Sequence, residues 1–102
     1  MKRLYNCKAW YDENGLQSYT TRIITLEKKN EDTKITYYNY RSNTTLSHIR
    51  KYIILLQEHG NYDLAFRIKK LYDCASQYKN EKWLVSDYDG RIKIIWKIWI
   101  LV

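Results

Sequence analysis

Four side chains in this sequence, Cys7, Cys74, His48 and His59, are of the types that ligate zinc. Their separations match no ligand spacing, and the two cysteines are far apart with no CxxC between them. His48 falls at the edge of an apolar helical stripe, where a histidine is most simply a partly buried structural residue. The chain lacks a Gly-rich phosphate loop, a GxSxG elbow and an HExxH pair. Its acids, Asp12, Glu13, Glu31, Asp32, Asp87 and Asp89, fall in expected turns, where capping and turn formation account for them. These features predict a protein that is not an enzyme and holds no metal or cofactor.

Residues suited to binding are easier to find. In the stretch NYDLAFRIKK, residues 61–70, the apolar positions Leu64 and Ile68 share one helical face. At 100° per residue, Tyr62 and Phe66 fall almost opposite them, beside Lys69 and Lys70. Aromatic rings edged by ammonium groups anchor an interface while the cations steer an anionic partner. The competing expectation is that a C-terminal hairpin covers the two rings. Arg50 and Lys51, joined by Arg41, form a second basic candidate. The third is the final strand, where Lys93, Ile95, Lys97 and Trp99 share a side and would contact another subunit if the strand lies at a sheet edge.

The elements that must position these groups follow from periodicity. LYNCKAWY (4–11) reads as a strand ending at the turn DENG; LQSYTTRIITL (16–26) reads as the return strand, with Tyr19, Thr21 and Ile23 on one face. KKNED is the next turn, and TKITYYNY (33–40) the third strand, with Ile35 and Tyr37 on one face. The period then changes. Leu46, Ile49, Ile53 and Leu56 form an i, i+3, i+7 stripe after a Thr44 N-cap, leaving Ile54 on the polar side. Gly60 supplies a left-handed stop. Asn61 caps a second helix with Leu64, Ile68, Leu71, Ala75 and Tyr78 aligned, supported by Asp63–Arg67 and Lys69–Asp73 pairs. KWLVS, DYDG and RIKIIWKIWI read as a closing hairpin. The expected architecture is α+β: a three-stranded antiparallel meander, a two-helix hairpin and a C-terminal β-hairpin (βββααββ), with the helices on one sheet face.

Composition agrees with a single domain over residues 1–102. The apolar fraction of 45% suffices for a core and argues against disorder. Eleven Tyr and four Trp bring aromatics to 16%, which suits half-exposed sheets and interfaces. A formal charge of +7 favours an anionic partner and excludes mimicry of nucleic acid, which needs an acidic surface. The start carries no apolar signal region, and the apolar end, IKIIWKIWILV, is too short to span a bilayer and contains Lys97. Two unpaired cysteines and no leader predict a reduced, cytoplasmic location without a membrane partner.

The strand segment with Ser18 and Tyr19, followed by Tyr40, Ser42, Thr44, Thr45, His48 and Ile49 leading into a helix, resembles a family of small uncharacterised phage proteins of Gram-positive bacteria. Arg41 separates Tyr40 from Ser42 where that family pairs Tyr with Ser directly. The resemblance covers about residues 4–59. It implies a phage accessory protein, and such proteins often disable host machinery or defences. The expected function is a non-catalytic, anti-CRISPR-like inhibitor that occludes a host protein or ribonucleoprotein complex in the host cytoplasm. Two further classes remain open: a small basic regulator binding RNA or DNA, and a homo-oligomeric structural component of the phage particle.

Overall fold

A computed structural model describes residues 1–40, 42–86 and 91–96 of the chain. Five strands precede the helices: β1 (Lys2–Arg3), β2 (Ala9–Asp12), β3 (Gly15–Ser18), β4 (Thr21–Lys29) and β5 (Asp32–Tyr38). They are followed by α1 (Asn43–Glu58), α2 (Tyr62–Ala75), β6 (Lys82–Ser86) and β7 (Ile92–Trp96). All seven strands form one antiparallel sheet in sequence order, with β5 and β6 adjacent although the helical hairpin separates them in the chain. The α+β class holds, while the three-strand meander expected before the helices is instead five strands.

Two departures account for the extra strands. Residues 4–8 form a loop in which Tyr5 adopts a left-handed φ of 51°, and the Leu4 amide bonds the Ala9 carbonyl at 2.8 Å. The segment 16–26 is not one strand: Tyr19 and Thr20 make a two-residue turn closed by the Ser18–Thr21 pair. Tyr19 takes a φ of 54°, a conformation normally left to Gly or Asn, so the turn carries no sequence signal. Tyr19 therefore does not share a strand face with Thr21 and Ile23. A bulge places Ile23 as the extra residue between the Leu16–Ile24 and Gln17–Arg22 pairs.

The other turns follow their residues. Glu13 and Asn14 connect β2 to β3, and the Asn14 amide bonds the Asp12 carboxylate at 2.8 Å. Asn30, with a φ of 57°, and Glu31 connect β4 to β5. The first helix is capped by Ser42 rather than Thr44: the Ser42 hydroxyl accepts the Thr45 amide at 3.3 Å. It ends as a Schellman motif, in which the Gly60 amide bonds Gln57 O and the Asn61 amide bonds Leu56 O. Asn61 precedes α2 as expected, but its side chain makes no capping bond.

Both helices lie on one face of the sheet. Ser18 meets α1, and the pairing register then carries that face across the strands through Leu16, Ile24, Tyr37 and Leu84. The helical stripes pack there: Ile49, Ile53 and Leu56 from α1, and Ile68, Leu71 and Ala75 from α2, are buried with them in one core. The expected Asp63–Arg67 support is overshadowed by a longer reach. Arg67 donates to the Asp32 carboxylate at 3.1 Å and to the Thr33 carbonyl at 2.7 Å, fastening α2 to β5. Lys69 and Asp73 pair at 2.6 Å as the spacing requires.

Candidate functional site

The second helix turns one flank to the sheet and the other to solvent. Ile68 is fully buried, whereas Tyr62 and Phe66 are 68% and 65% exposed. The rings are therefore uncovered: among the described residues, the β6 and β7 strands extend the sheet beside β5 and do not bury them. Phe66 carries Lys70 over its ring, with Nζ 5.9 Å from the centroid. Lys69 lies 5.8 Å from the Tyr72 centroid while holding Asp73. From the neighbouring helix, Arg50 donates to the Tyr72 hydroxyl at 2.7 Å. Tyr72 thus gathers one cation from each helix, and α2 continues from it to the Phe66–Lys70 pair and Tyr62. Such cation–ring contacts hold the long side chains over apolar surface while the charges stay in water.

The remaining binding candidates divide. Lys51 is exposed on α1, and its charge reaches His48. Arg41, Lys97 and Trp99 lie outside the described residues, as do Asp87 and Asp89. Lys93 and Ile95 sit on β7, the last strand of the sheet among the described residues, and both are exposed.

Sequence reasoning missed a cleft. About 820 Å³ of space opens between the α1–α2 turn and the ends of β2, β4 and β5. Tyr11, Leu26, Tyr52, Leu55, Leu56 and Leu64 supply its apolar wall. Asp12, Glu13, Glu31, Asp32 and Asp63 line it as well, against Lys2, Lys28 and Arg67. Acids that looked like unrelated turn residues therefore converge at one end of the molecule, leaving the rest of the surface more basic than the net charge implies. Tyr52, in the wall, has its hydroxyl pKa pushed up to about 12, first by burial and then by the Asp12 charge. The only advance signal was their place in turns on the same side of a meander.

A polar knot lies under α1. The buried Ser18 hydroxyl is 2.7 Å from His48 Nδ1 and 3.2 Å from Thr45 Oγ1, and Tyr19 packs on the imidazole with centroids 5.7 Å apart. Burial, with the Lys51 charge second, holds the His48 pKa below its ordinary value. Ser18 and His48 are 2% exposed, so a substrate has no access to the pair, and its evident role is to fix α1 on β3. Cys7 and Cys74 are unbridged, and among the described residues no three His, Cys, Asp or Glu side chains gather to hold a metal. Nor is any described helix long and apolar enough to cross a membrane.

The described residues define a two-layer α+β arrangement: one seven-stranded antiparallel sheet, two helices on one face, and an aromatic–cationic strip on the outer helix flank. No protein-family model, curated protein or solved structure matches the chain.

Proposed function

We propose that this protein is a non-catalytic binding protein, an anti-CRISPR-like inhibitor encoded by a phage, that occludes the working surface of a host nucleoprotein complex in the host cytoplasm. The observation that carries the binding mode is the exposure of Tyr62 and Phe66 on a helix whose other flank is fully buried. Two adjacent large rings left in water on an otherwise amphipathic helix are the anchor type that dominates interface energetics. Lys70 lies over the Phe66 ring, Lys69 and Arg50 meet Tyr72 further along the helix, and these cations steer an acidic protein surface or the nucleic acid of such a complex. The resemblance of residues 4–59 to small phage proteins supports the source and the inhibitory role.

The test is capture from host lysate, with and without nuclease, by the natural protein and by the Tyr62→Ser/Phe66→Ser variant. Nuclease-resistant capture by the former, lost by the latter at an unchanged melting temperature, is the expected result. Equal capture by both would overturn the assignment of these rings. A second reading, self-association into a phage structural component, is favoured by the exposed Ile94 and Ile95 on β7. Sizing chromatography at high concentration separates it, since a monomer removes it.

A further inference from the structure

The cleft beside the α1–α2 turn holds a polar group that the fold leaves unused. Tyr52 lines it and is 1% exposed, with its ring centroid 6.3 Å from that of Tyr11 in the same wall. Its hydroxyl makes no hydrogen bond with any described residue. The buried Ser18, His48 and Asn39 side chains, by contrast, all have partners. Buried polar side chains are normally hydrogen-bonded, so an orphan hydroxyl on a cavity wall is a place for a ligand atom. The 820 Å³ of the cleft also suits such a ligand, since small-molecule sites run from about 300 to about 1,000 Å³.

The charged groups of the cleft are unevenly engaged. Asp12 pairs with Arg22 at 3.6 Å and Asp32 with Arg67 at 3.1 Å. Glu13, Glu31 and Asp63 line the cleft from three separate elements and have no ion pair or hydrogen bond among the described residues. Asp63 suits the positive end of α2, but Glu13 and Glu31 have no such role. Lys2 and Lys28 also line the cleft, yet both are exposed and neither pairs with these carboxylates. A protonated amine meets all these features at once. It donates to a phenol oxygen, it is drawn to carboxylates, and tyrosine faces attract it. An apolar body attached to it covers Leu26, Leu55, Leu56 and Leu64. An anionic ligand fits less well, because it meets three like charges and the negative faces of two rings.

We infer that this cleft binds a small organic ammonium ion with an apolar body, the amine meeting the Tyr52 hydroxyl in the field of Glu13, Glu31 and Asp63 and the body lying on the leucine wall. This goes beyond the interface role of the second helix and does not depend on Phe66, which is not part of the cleft lining.

Isothermal titration calorimetry of the full chain with tryptamine, tryptophol and indole-3-propionate tests it. The three probes share an indole body and differ in the charge at the end of the chain. Tryptamine, with about twelve heavy atoms, is expected to bind with a Kd of about 1 mM or below. It should bind at least about tenfold more tightly than indole-3-propionate, with neutral tryptophol between them. Tyr52→Phe removes only the hydroxyl and should weaken tryptamine about fivefold at an unchanged melting temperature, since that hydroxyl holds nothing in the chain. Glu13→Gln/Glu31→Gln/Asp63→Asn should weaken it about tenfold, and Phe66→Ser should bind it like the natural protein. If Tyr52→Phe lowers the melting temperature, the carboxylate variant decides. Absence of tryptamine binding at about 5 mM, equally tight binding of tryptophol or indole-3-propionate, undiminished affinity in the carboxylate variant or in a normally melting Tyr52→Phe, or loss of binding in Phe66→Ser each overturns the inference.

Discussion

Ser18 and His48 meet beneath the first helix with Oγ and Nδ1 2.7 Å apart, joining a residue at the end of β3 to one 30 positions later. The bond ties the sheet to α1 at the point where Thr45 also closes on Ser18. Burial disfavours the charged form of this imidazole, and protonation would make both of its ring nitrogens donors inside a desolvated site.

A pH dependence follows. Because the folded pKa of His48 lies below its ordinary 6.5, the unfolded chain binds the proton more readily. Stability is therefore at its full value above about pH 6.5 and falls as pH drops through that value toward the folded pKa. Thermal melts of the natural protein and of His48→Gln should converge as pH is lowered, with the variant less stable at neutral pH. A gap that stays constant from neutral to acid pH would remove His48 as the titrating group.

The bridge from Arg67 to Asp32 and Thr33 should matter far more than the Lys69–Asp73 pair. The Arg67 side chain is only 12% exposed, whereas Lys69 and Asp73 are each more than half exposed. Arg67→Ala is expected to cost about 2 kcal/mol, because it removes a largely buried guanidinium and leaves part-buried acceptors without their donor. Lys69→Ala should cost about 0.3 kcal/mol. Urea unfolding of the two variants measures the difference, and equal values would refute the ranking.

Two glycines separate strain from space. Gly15 has a φ of 131°, and a Cβ there would stand 1.9 Å from the Ile24 carbonyl oxygen. Gly60 has a φ of 79° with nothing within 4 Å of such a Cβ. Gly60→Ala should cost about 1 kcal/mol, from the left-handed backbone alone. Gly15→Ala should fail to give a cooperative melt, since the β3–β4 pairing would have to separate. Circular dichroism melts distinguish the two.

The flanks of α2 should behave oppositely. Ile68→Ala is expected to lose about 3 kcal/mol, as a fully buried side chain leaves a cavity. Phe66→Ser should change stability by less than about 0.5 kcal/mol. A large loss for Phe66→Ser in denaturant unfolding would mean that the ring is held in a core rather than offered to a partner.

Periodicity made both helices readable, because which face a residue takes on a helix depends only on its neighbours three and four positions away. The buried flank of α2 and the placement of Tyr62 and Phe66 opposite it were legible for that reason, as were the turns built by Asn14, Asn30 and Gly60, but whether the closing hairpin covered the two rings was not. The Tyr19 turn was not legible. A tyrosine in the left-handed region has no local preference for it, and only the pairing of Ser18 with Thr21 holds it there. The choice of Ser42 over Thr44 as cap likewise turned on where the chain enters α1 from β5.

Local spacing by itself determined the α+β class, the two amphipathic helices and the placement of Tyr62 and Phe66 opposite the apolar stripe, while the exposure of those rings was decided by the tertiary structure. Tertiary structure alone decided that five strands precede the helices, that Arg67 reaches Asp32, and that Ser18 meets His48. It also gathered turn acids into one cleft. Those relationships are set by strand register between residues far apart in the chain. Register is a collective outcome of core packing, which no short segment encodes.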